Sequence, residues 1–170
     1  MSLSMHQVSI PVFVRGLRAL SGLLEKGAAH AAQTGVAEAD LINAQLAPDM
    51  LNLAGQVQRA SDTSKLSGQR LSGVASPPMP DTETTFGDLI KRVADTVAYL
   101  ETLDEAALEG SETKTVELNF GPERKISFPG DVYLLTFALP NFFFHVATAH
   151  DILRSQGVKI GKMDYLGAAG

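Results

Sequence analysis

The chain has 170 residues, enough for one domain with a sizeable core, and 45% of them are apolar against 19% charged. Its net charge of −5 would be repelled by phosphate backbones, which argues against nucleic acid as a partner. The sequence contains no cysteine, so disulfides, zinc–thiolate sites and cysteine nucleophiles are excluded.

The N-terminal stretch is partly apolar, but no basic residue precedes it, and Pro11 and Arg15 interrupt it. A secretory signal needs a positive leader and an unbroken apolar run, so none is predicted. No uninterrupted apolar run approaches the length of about eighteen residues that a membrane span needs. We therefore expect a cytoplasmic protein with no membrane partner.

Two amphipathic helices are predicted in the first half of the chain. The first covers about residues 4–32 and ends at Gly35, which supplies a left-handed cap. The second covers about residues 38–71. Its apolar stripe is formed by Leu46, Met50, Leu53, Val57, Ala60, Ser64 and Leu71.

A proline-rich connection separates these helices from a third. Three prolines in residues 77–80 make this connection stiff and extended. The third helix is predicted over about residues 84–103, and Thr85 followed by Asp88 resembles a capping box.

The pattern then changes to alternating polar and apolar residues around a Gly-Pro turn, which predicts a β-hairpin over about residues 113–128. Asp131 is expected to cap a fourth helix that runs from Val132 to about Gln156. Four long helices with stiff connections predict an all-α fold in a single domain over residues 1–170. Its architecture is a four-helix bundle with a small β-hairpin inserted before the last helix.

The strongest candidate for chemistry lies in the fourth helix. His145 falls on a predicted apolar stripe that consists of Leu135, Ala138, Phe142, His145, Ala149 and Ile152. Asn141 lies one turn earlier, so its side chain and the imidazole can point to one place. His150 is about 140° around the helix from His145, so the two histidines should not bind one ion together.

Proline residues interrupt two of the predicted helices close to these polar groups, Pro48 in the second and Pro140 in the fourth. Pro140 cannot donate a hydrogen bond to the carbonyl of Thr136 and tends to kink the helix. The kink either opens a pocket beside Asn141 and His145 or simply fits a curved helix.

The second helix carries a row of polar residues beside its apolar stripe: Asp49, Asn52 and Gln56. On an outer face this row would be solvated, whereas at a seam between helices it would meet Asn141 and His145. His30, near the end of the first helix, is a further candidate ligand, although a surface position is equally compatible with its neighbours.

Three consecutive phenylalanines, Phe142, Phe143 and Phe144, surround the fourth helix, so at least one ring should face away from the core. Phe143 or Phe144 is expected either to pack on the hairpin or to form a dimer interface.

The segment NFFFHVATAHDILRSQGV resembles the last helix of DinB/YfiT-like proteins. These are four-helix bundles, many of which bind a metal and some of which are thiol-dependent S-transferases. Their last helix carries a His-x-x-x-His pair about a dozen residues before Leu-Arg-x-x-Gly. In the register that Gly157 sets, this pair falls on Asn141 and His145. The histidine that the family has on its second helix has no histidine counterpart here, and Gln56 is the nearest residue.

Nearly the whole chain also resembles an uncharacterised subfamily of this superfamily, a domain of unknown function. The matching segments are IPVFVRGL, LAPDM, DTETTF, and PNFFFH with ILRSQGV. This resemblance implies the fold, while two of the three metal histidines are replaced. Carboxamides are poor ligands for zinc or nickel.

Two functions remain open from the sequence. The first is a non-catalytic or small-molecule-binding homodimer with a degraded metal site. The second is a metal-dependent transferase or hydrolase that uses His145 as a ligand. A divalent metal, zinc or nickel, would be held by residues drawn from His145, Asn141, Gln56, Asp49 and His30.

Overall fold

The computed structural model describes residues 3–121 and 123–167. In chain order the described elements are α1 (Ile10–Thr34), α2 (Glu38–Ile42), α3 (Leu53–Ser72), α4 (Phe86–Leu100), a 3₁₀ turn (Ala106–Leu108), β1 (Thr115–Asn119), β2 (Lys125–Pro129), α5 (Gly130–Tyr133), a π-helical turn (Leu134–Ala138), α6 (Leu139–Ser155) and α7 (Lys162–Leu166). The segments from α5 to α6 follow one another without a break and form one long helix.

Four long helices, α1, α3, α4 and α6, surround a single apolar core. Helix α3 packs against α6 and α4, and α1 packs against α4 and α6. The apolar face of α1 contributes Leu17, Leu20 and Leu24, which are fully buried, and α6 contributes Phe142 and Ile152. The predicted all-α bundle with a hairpin before the last helix is therefore confirmed.

The helix α1 ends where the sequence predicts and begins later. Gly35 adopts φ of +75°, and its N–H donates to the carbonyl of Ala31, as expected for a left-handed cap. The helix begins at Ile10, with Pro11 in its first turn, where a missing N–H costs no hydrogen bond. Residues 5–9 form turns that precede the helix.

The prediction of one continuous second helix over residues 38–71 is wrong. The helical segment α2 ends at Ile42, and a loop over residues 43–52 separates it from α3. The carbonyl of Ala44, which Pro48 cannot satisfy, accepts a hydrogen bond from the N–H of Leu53 at 3.0 Å. Asn52 then caps α3 by accepting from the Gly55 N–H at 2.9 Å.

Buried charges fix the proline-rich connection to the bundle. The guanidinium of Arg92, on α4, is 2% exposed and lies 2.9 Å from Glu83 and 3.0 Å from both Asp62 and Asp81. Lys65 donates to the carbonyl of Pro77 at 3.2 Å. These contacts attach both ends of the connection to α3 and α4. The capping box of Thr85 and Asp88 at the start of α4 is as predicted.

The hairpin pairs β1 with β2 in antiparallel register, with Val116 opposite Phe128 and Leu118 opposite Ile126. Val116 and Leu118 are buried. The ring that packs on the hairpin is Phe137, which lies 5.8 Å from Phe120 between ring centroids. Phe137 thus has the place on the hairpin that was one of the two alternatives for Phe143 or Phe144.

A π-helical turn just before Pro140 changes the register of the last helix. The N–H of Leu139 donates to the carbonyl of Leu134, five residues earlier. Because of the extra residue in this turn, Leu134 is fully buried while Leu135, predicted to lie on the buried stripe, is 56% exposed. The helix also begins at Gly130, so Asp131 lies in its first turn and does not cap it.

The last helix, Gly130–Ser155, is long and apolar enough to cross a membrane when judged by length and composition alone. A core helix in a soluble bundle passes the same test, and this helix packs on α1 and α3. In its most apolar window 39% is buried, and Leu135 and Phe144 are exposed.

The same substitution, glycine to alanine, at two positions tests the packing of the bundle. At Gly130, a β-carbon would lie 1.9 Å from the backbone oxygen of Ser111, which must shift. At Gly22, inside α1, a β-carbon would meet nothing within 4 Å. We expect Gly130→Ala to lower the unfolding free energy by about 2 kcal/mol or more and Gly22→Ala to raise it by about 0.5–1 kcal/mol.

Urea titrations followed by circular dichroism would measure both effects. Equal unfolding free energies of the two variants would contradict the close approach of the Ser111 backbone, which precedes the hairpin, to Gly130 at the start of the last helix.

Candidate functional site at the seam of α3 and α6

His145 and Gln56 meet where α6 packs against α3. The imidazole Nδ1 lies 2.8 Å from Gln56 Oε1. Gln56 is 1% exposed, and His145 is partly buried. Of the two positions that the sequence left open for the polar row of the second helix, Gln56 occupies the one at the helix seam, facing His145.

The hydrogen bonds of Gln56 determine the tautomer of His145. The amide nitrogen of Gln56 donates to the carbonyl of Leu51 at 3.1 Å, so the amide oxygen must face the imidazole. Nδ1 of His145 is therefore the protonated nitrogen and donates to Gln56, which leaves Nε2 with a lone pair. Nε2 has no partner among the described residues and is not one of their fully buried polar atoms, so it reaches solvent.

Asn141 repeats this arrangement two turns along α3. Its Nδ2 donates to the hydroxyl oxygen of Thr63 at 2.8 Å. Its Oδ1 makes no hydrogen bond within the described part of the chain and, like Nε2 of His145, is not fully buried. Since Asn141 lies one helical turn before His145, α6 presents two hydrogen-bond acceptors on the same side.

The imidazole is held neutral by its surroundings. Burial, together with the positive charge of Arg59, lowers the pKa of His145 to about 4. Arg59 lies on α3, one turn beyond Gln56, and is kept there by Asp62 at 3.2 Å and by Asp81. A ring with so low a pKa is a weak general base at neutral pH, but it accepts hydrogen bonds at every pH above about 4.

The structure separates the other proposed ligands from His145. Asp49 is exposed in the loop between α2 and α3, because this segment is not helical as predicted. His30 lies near the far end of α6, where its Nε2 would be 3.9 Å from a β-carbon placed on Gly157. The ten helical residues between His145 and Ser155 alone span about 15 Å.

His150 also faces elsewhere. Its Nδ1 is 2.8 Å from the carboxylate of Asp151, and its ring lies edge-on to Tyr165 of α7. This agrees with the prediction that the two histidines of the last helix do not share a ligand.

The donor set does not fit a zinc or nickel site. Within residues 3–121 and 123–167, no group of three or more His, Asp or Glu side chains is placed to hold a metal ion. The oxygen of Gln56 is occupied by the imidazole N–H, so Gln56 orients His145 and is not available as a second ligand. The charge of Arg59 also opposes a cation at this position.

Three residues of this seam were missed by the sequence reasoning. Arg59 and Thr63 follow Gln56 by three and seven residues, so the helical period could have found them. Phe144 is 55% exposed and packs edge-on to His145 with centroids 5.3 Å apart. The sequence predicted that at least one of the three phenylalanine rings faces away from the core, but not that this ring lies beside His145.

Comparison with known proteins supports the expected relationship. The family model described as "Domain of unknown function (DUF1993)" matches residues 5–166. Among solved structures, the crystal structure of a DinB family member protein from Shewanella denitrificans has a TM-score of 0.89 and 35% sequence identity, and the match covers 97% of this chain and 93% of that chain. No curated protein matches the chain significantly.

The low pKa of His145 predicts a pH-dependent loss of stability. As the pH falls from 6.5 towards 4, the unfolded chain takes up a proton at this ring while the folded chain does not. The unfolding free energy should therefore fall across this range, by about 1–2 kcal/mol after allowance for solvent near this partly buried ring.

Urea unfolding of the native protein and of His145→Gln at several pH values would isolate this contribution, because the other titrating groups are common to both. The difference between the two free energies should shrink as the pH is lowered. A difference that does not change between pH 6.5 and 4 would show that the ring is not buried in its neutral form.

Proposed function

We propose a function for this chain from the premise that it belongs to the DUF1993 family of domains of unknown function: it is a non-catalytic homodimer that binds a small molecule at the seam of α3 and α6, without a resident transition metal. The observation that carries this proposal is the hydrogen bond between His145 Nδ1 and Gln56 Oε1. This bond fixes the ring with its unprotonated Nε2 towards solvent.

The chemistry of the seam indicates the ligand. Nε2 of His145 and Oδ1 of Asn141 are both acceptors, so a matching molecule presents O–H or N–H donors. The exposed ring of Phe144, beside His145, offers an aromatic contact at the same place. A hydroxyl on an aromatic ring satisfies both requirements.

A metal-dependent transferase or hydrolase is the alternative, and it makes different demands on the same residues. It needs ligands beyond His145, and it needs the positive charge of Arg59 to move away or be neutralised. Neutral acceptors beside a fixed cation favour an uncharged donor over a divalent ion.

The proposal of a homodimer rests on the exposed face of the last helix. Val132, Leu135 and Phe144 are 40%, 56% and 55% exposed, and the sequence from residue 132 to 149 contains no Asp, Glu, Lys or Arg. Apolar surface of this kind marks an association site. In a two-fold dimer the same surface patch of both subunits forms the interface, so a face without charged residues avoids like-charge contacts with its copy and is suited to a second copy of this chain.

The first test of the function uses phenol as a probe and anisole as its matched control, because anisole has the same ring without the O–H. We expect phenol, and not anisole, to shift the His145 ring resonances of the native protein at neutral pH. His145→Phe, which removes the acceptor and keeps a ring, should lower phenol binding about tenfold, the cost of one lost hydrogen bond.

Elemental analysis of protein purified without an affinity tag distinguishes the alternative. Stoichiometric zinc or nickel that is lost in His145→Ala would support the metal-dependent enzyme and overturn the proposed function. Equal binding of phenol and anisole would also overturn it, since the acceptor would then have no role.

The homodimer is tested by substitution on its proposed face. Leu135→Glu and Phe144→Glu place a charge at an apolar interface, so we expect each to raise the dimer dissociation constant at least about tenfold in analytical ultracentrifugation. Val74→Glu is the control, because Val74 is 45% exposed and lies in the proline-rich connection. Loss of the dimer in the control alone, or in none of the variants, would contradict the assignment of this face.

A further inference from the structure

A second concave surface lies along α1, away from the seam of α3 and α6. A groove of about 1100 Å³ runs between α1, the residues after α4, and α7. This volume slightly exceeds the usual range for small-molecule sites, roughly 300–1,000 Å³. The residues of the α3–α6 seam do not contribute to it.

The outer face of α1 forms the floor of the groove. Its members there are spaced by three or four residues: Pro11, Arg15, Arg18, Gly22 and Lys26. From Arg15 to Lys26 the floor is about 16 Å long. At Gly22 the floor is bare backbone, because a β-carbon there would meet nothing within 4 Å.

The groove is positively charged in a chain whose net charge is −5. Three of the fourteen Lys and Arg residues line it, together with two carboxylates. Arg18 pairs with Glu101 at 2.6 Å and Lys26 pairs with Asp164, which leaves Arg15 without a carboxylate among the described residues. Arg15 instead donates to the carbonyl of Leu166 at 2.9 Å.

The ion pairs in the groove are weak enough for a ligand carboxylate to replace the carboxylate of the protein. The side chains of Arg18 and Glu101 are 66% and 50% exposed, and exposed pairs of this kind contribute little to stability. A ligand carboxylate can therefore bind Arg15 and Arg18 together without a large loss elsewhere, and an arginine holds a carboxylate by two parallel hydrogen bonds.

The remaining lining is mostly apolar. Leu103 and Ala19 contribute to one side, and Met163 of α7 stands over the groove with 72% of its surface exposed. A methionine adapts its shape to an apolar chain, because its side chain is unbranched and flexible. The groove has cationic side chains at one position and an apolar path beside them. This combination defines the class of ligand that fits it.

We propose that this groove binds an amphiphile with one carboxylate, whose head group lies between Arg15 and Arg18 and whose unbranched apolar tail crosses Gly22 under Met163. The site is separate from the seam of α3 and α6, and its proposal does not depend on the function assigned to His145. A lone cationic surface would bind any small anion, whereas this arrangement requires both the charge and the tail.

Isothermal titration calorimetry with decanoate, decan-1-ol and acetate separates these requirements. We expect decanoate to bind, and acetate and decan-1-ol to bind at least about tenfold more weakly, because each lacks one of the two contacts. Arg15→Gln combined with Arg18→Gln should weaken decanoate about tenfold or more, while Lys91→Gln, which removes a cation elsewhere on the surface, should leave it unchanged.

Gly22→Leu blocks the floor without touching a charge, and it should abolish decanoate binding while the helix remains folded. Gly22→Ala adds only one carbon and should retain binding. Equal affinity of decanoate for the native protein and for Gly22→Leu would overturn the proposal, as would equal affinity for decanoate and decan-1-ol. His145→Phe should not alter decanoate binding, which distinguishes this site from the one at the seam.

Discussion

The packing of the last helix against α3 depends on one extra residue in the turn before Pro140. Pro140 provides no N–H, and the π-helical turn at Leu134–Ala138 widens the helix where that bond is missing. One added residue rotates the preceding part of the helix by about 100° relative to a regular α-helix. As a result Tyr133 and Leu134 are buried, and the hydroxyl of Tyr133 lies 2.8 Å from that of Ser67 on α3. Beyond the turn, Asn141 and His145 face α3 in a regular register.

Neutral and charged polar groups are paired in different ways within the bundle. The seam of α3 and α6 pairs neutral groups one to one, imidazole with amide and amide with hydroxyl, so each buried donor has an acceptor. Charged groups meet at the seam of α3 and α4, where Arg92 contacts three carboxylates. A buried cation is tolerated only with such compensation.

These two regions are connected through Arg59. Its guanidinium pairs with Asp62 and Asp81, which also hold Arg92, so the charged cluster positions a cation beside His145. That cation and the burial of the ring act in the same direction on the pKa of His145. The neutrality of the imidazole is therefore a property of the bundle as a whole and not of the His145–Gln56 pair alone.

The sequence was sufficient for features that depend on local pattern. Helical periodicity located the four long helices, the Thr85–Asp88 spacing located a cap, and alternation located the hairpin. Prediction from the sequence failed where the helical register changes without a change in amino-acid composition. The π-helical turn exposes Leu135 although the spacing of apolar residues is continuous, and the loop before α3 displaces Asp49 although its neighbours are compatible with a helix. The approach of Gln56 to His145 was predictable because both residues lie within regular helix. The separation of His30 from His145 depends on the position of the end of α1 along α6, which helical periodicity does not specify.

The neutral acceptors at this seam differ in what they recognise from a set of imidazoles. A set of imidazoles binds a cation and competes with protons near neutral pH, because each ligand must be unprotonated. An amide has no titration in this range, and His145 titrates only near pH 4. The acceptors at the seam are consequently unchanged over the whole neutral range, and the fixed charge of Arg59 discriminates against cations throughout it. Binding at this position would then depend on the hydrogen-bond donors of the ligand and not on the pH, whereas the stability of the folded chain depends on the pH through the same ring.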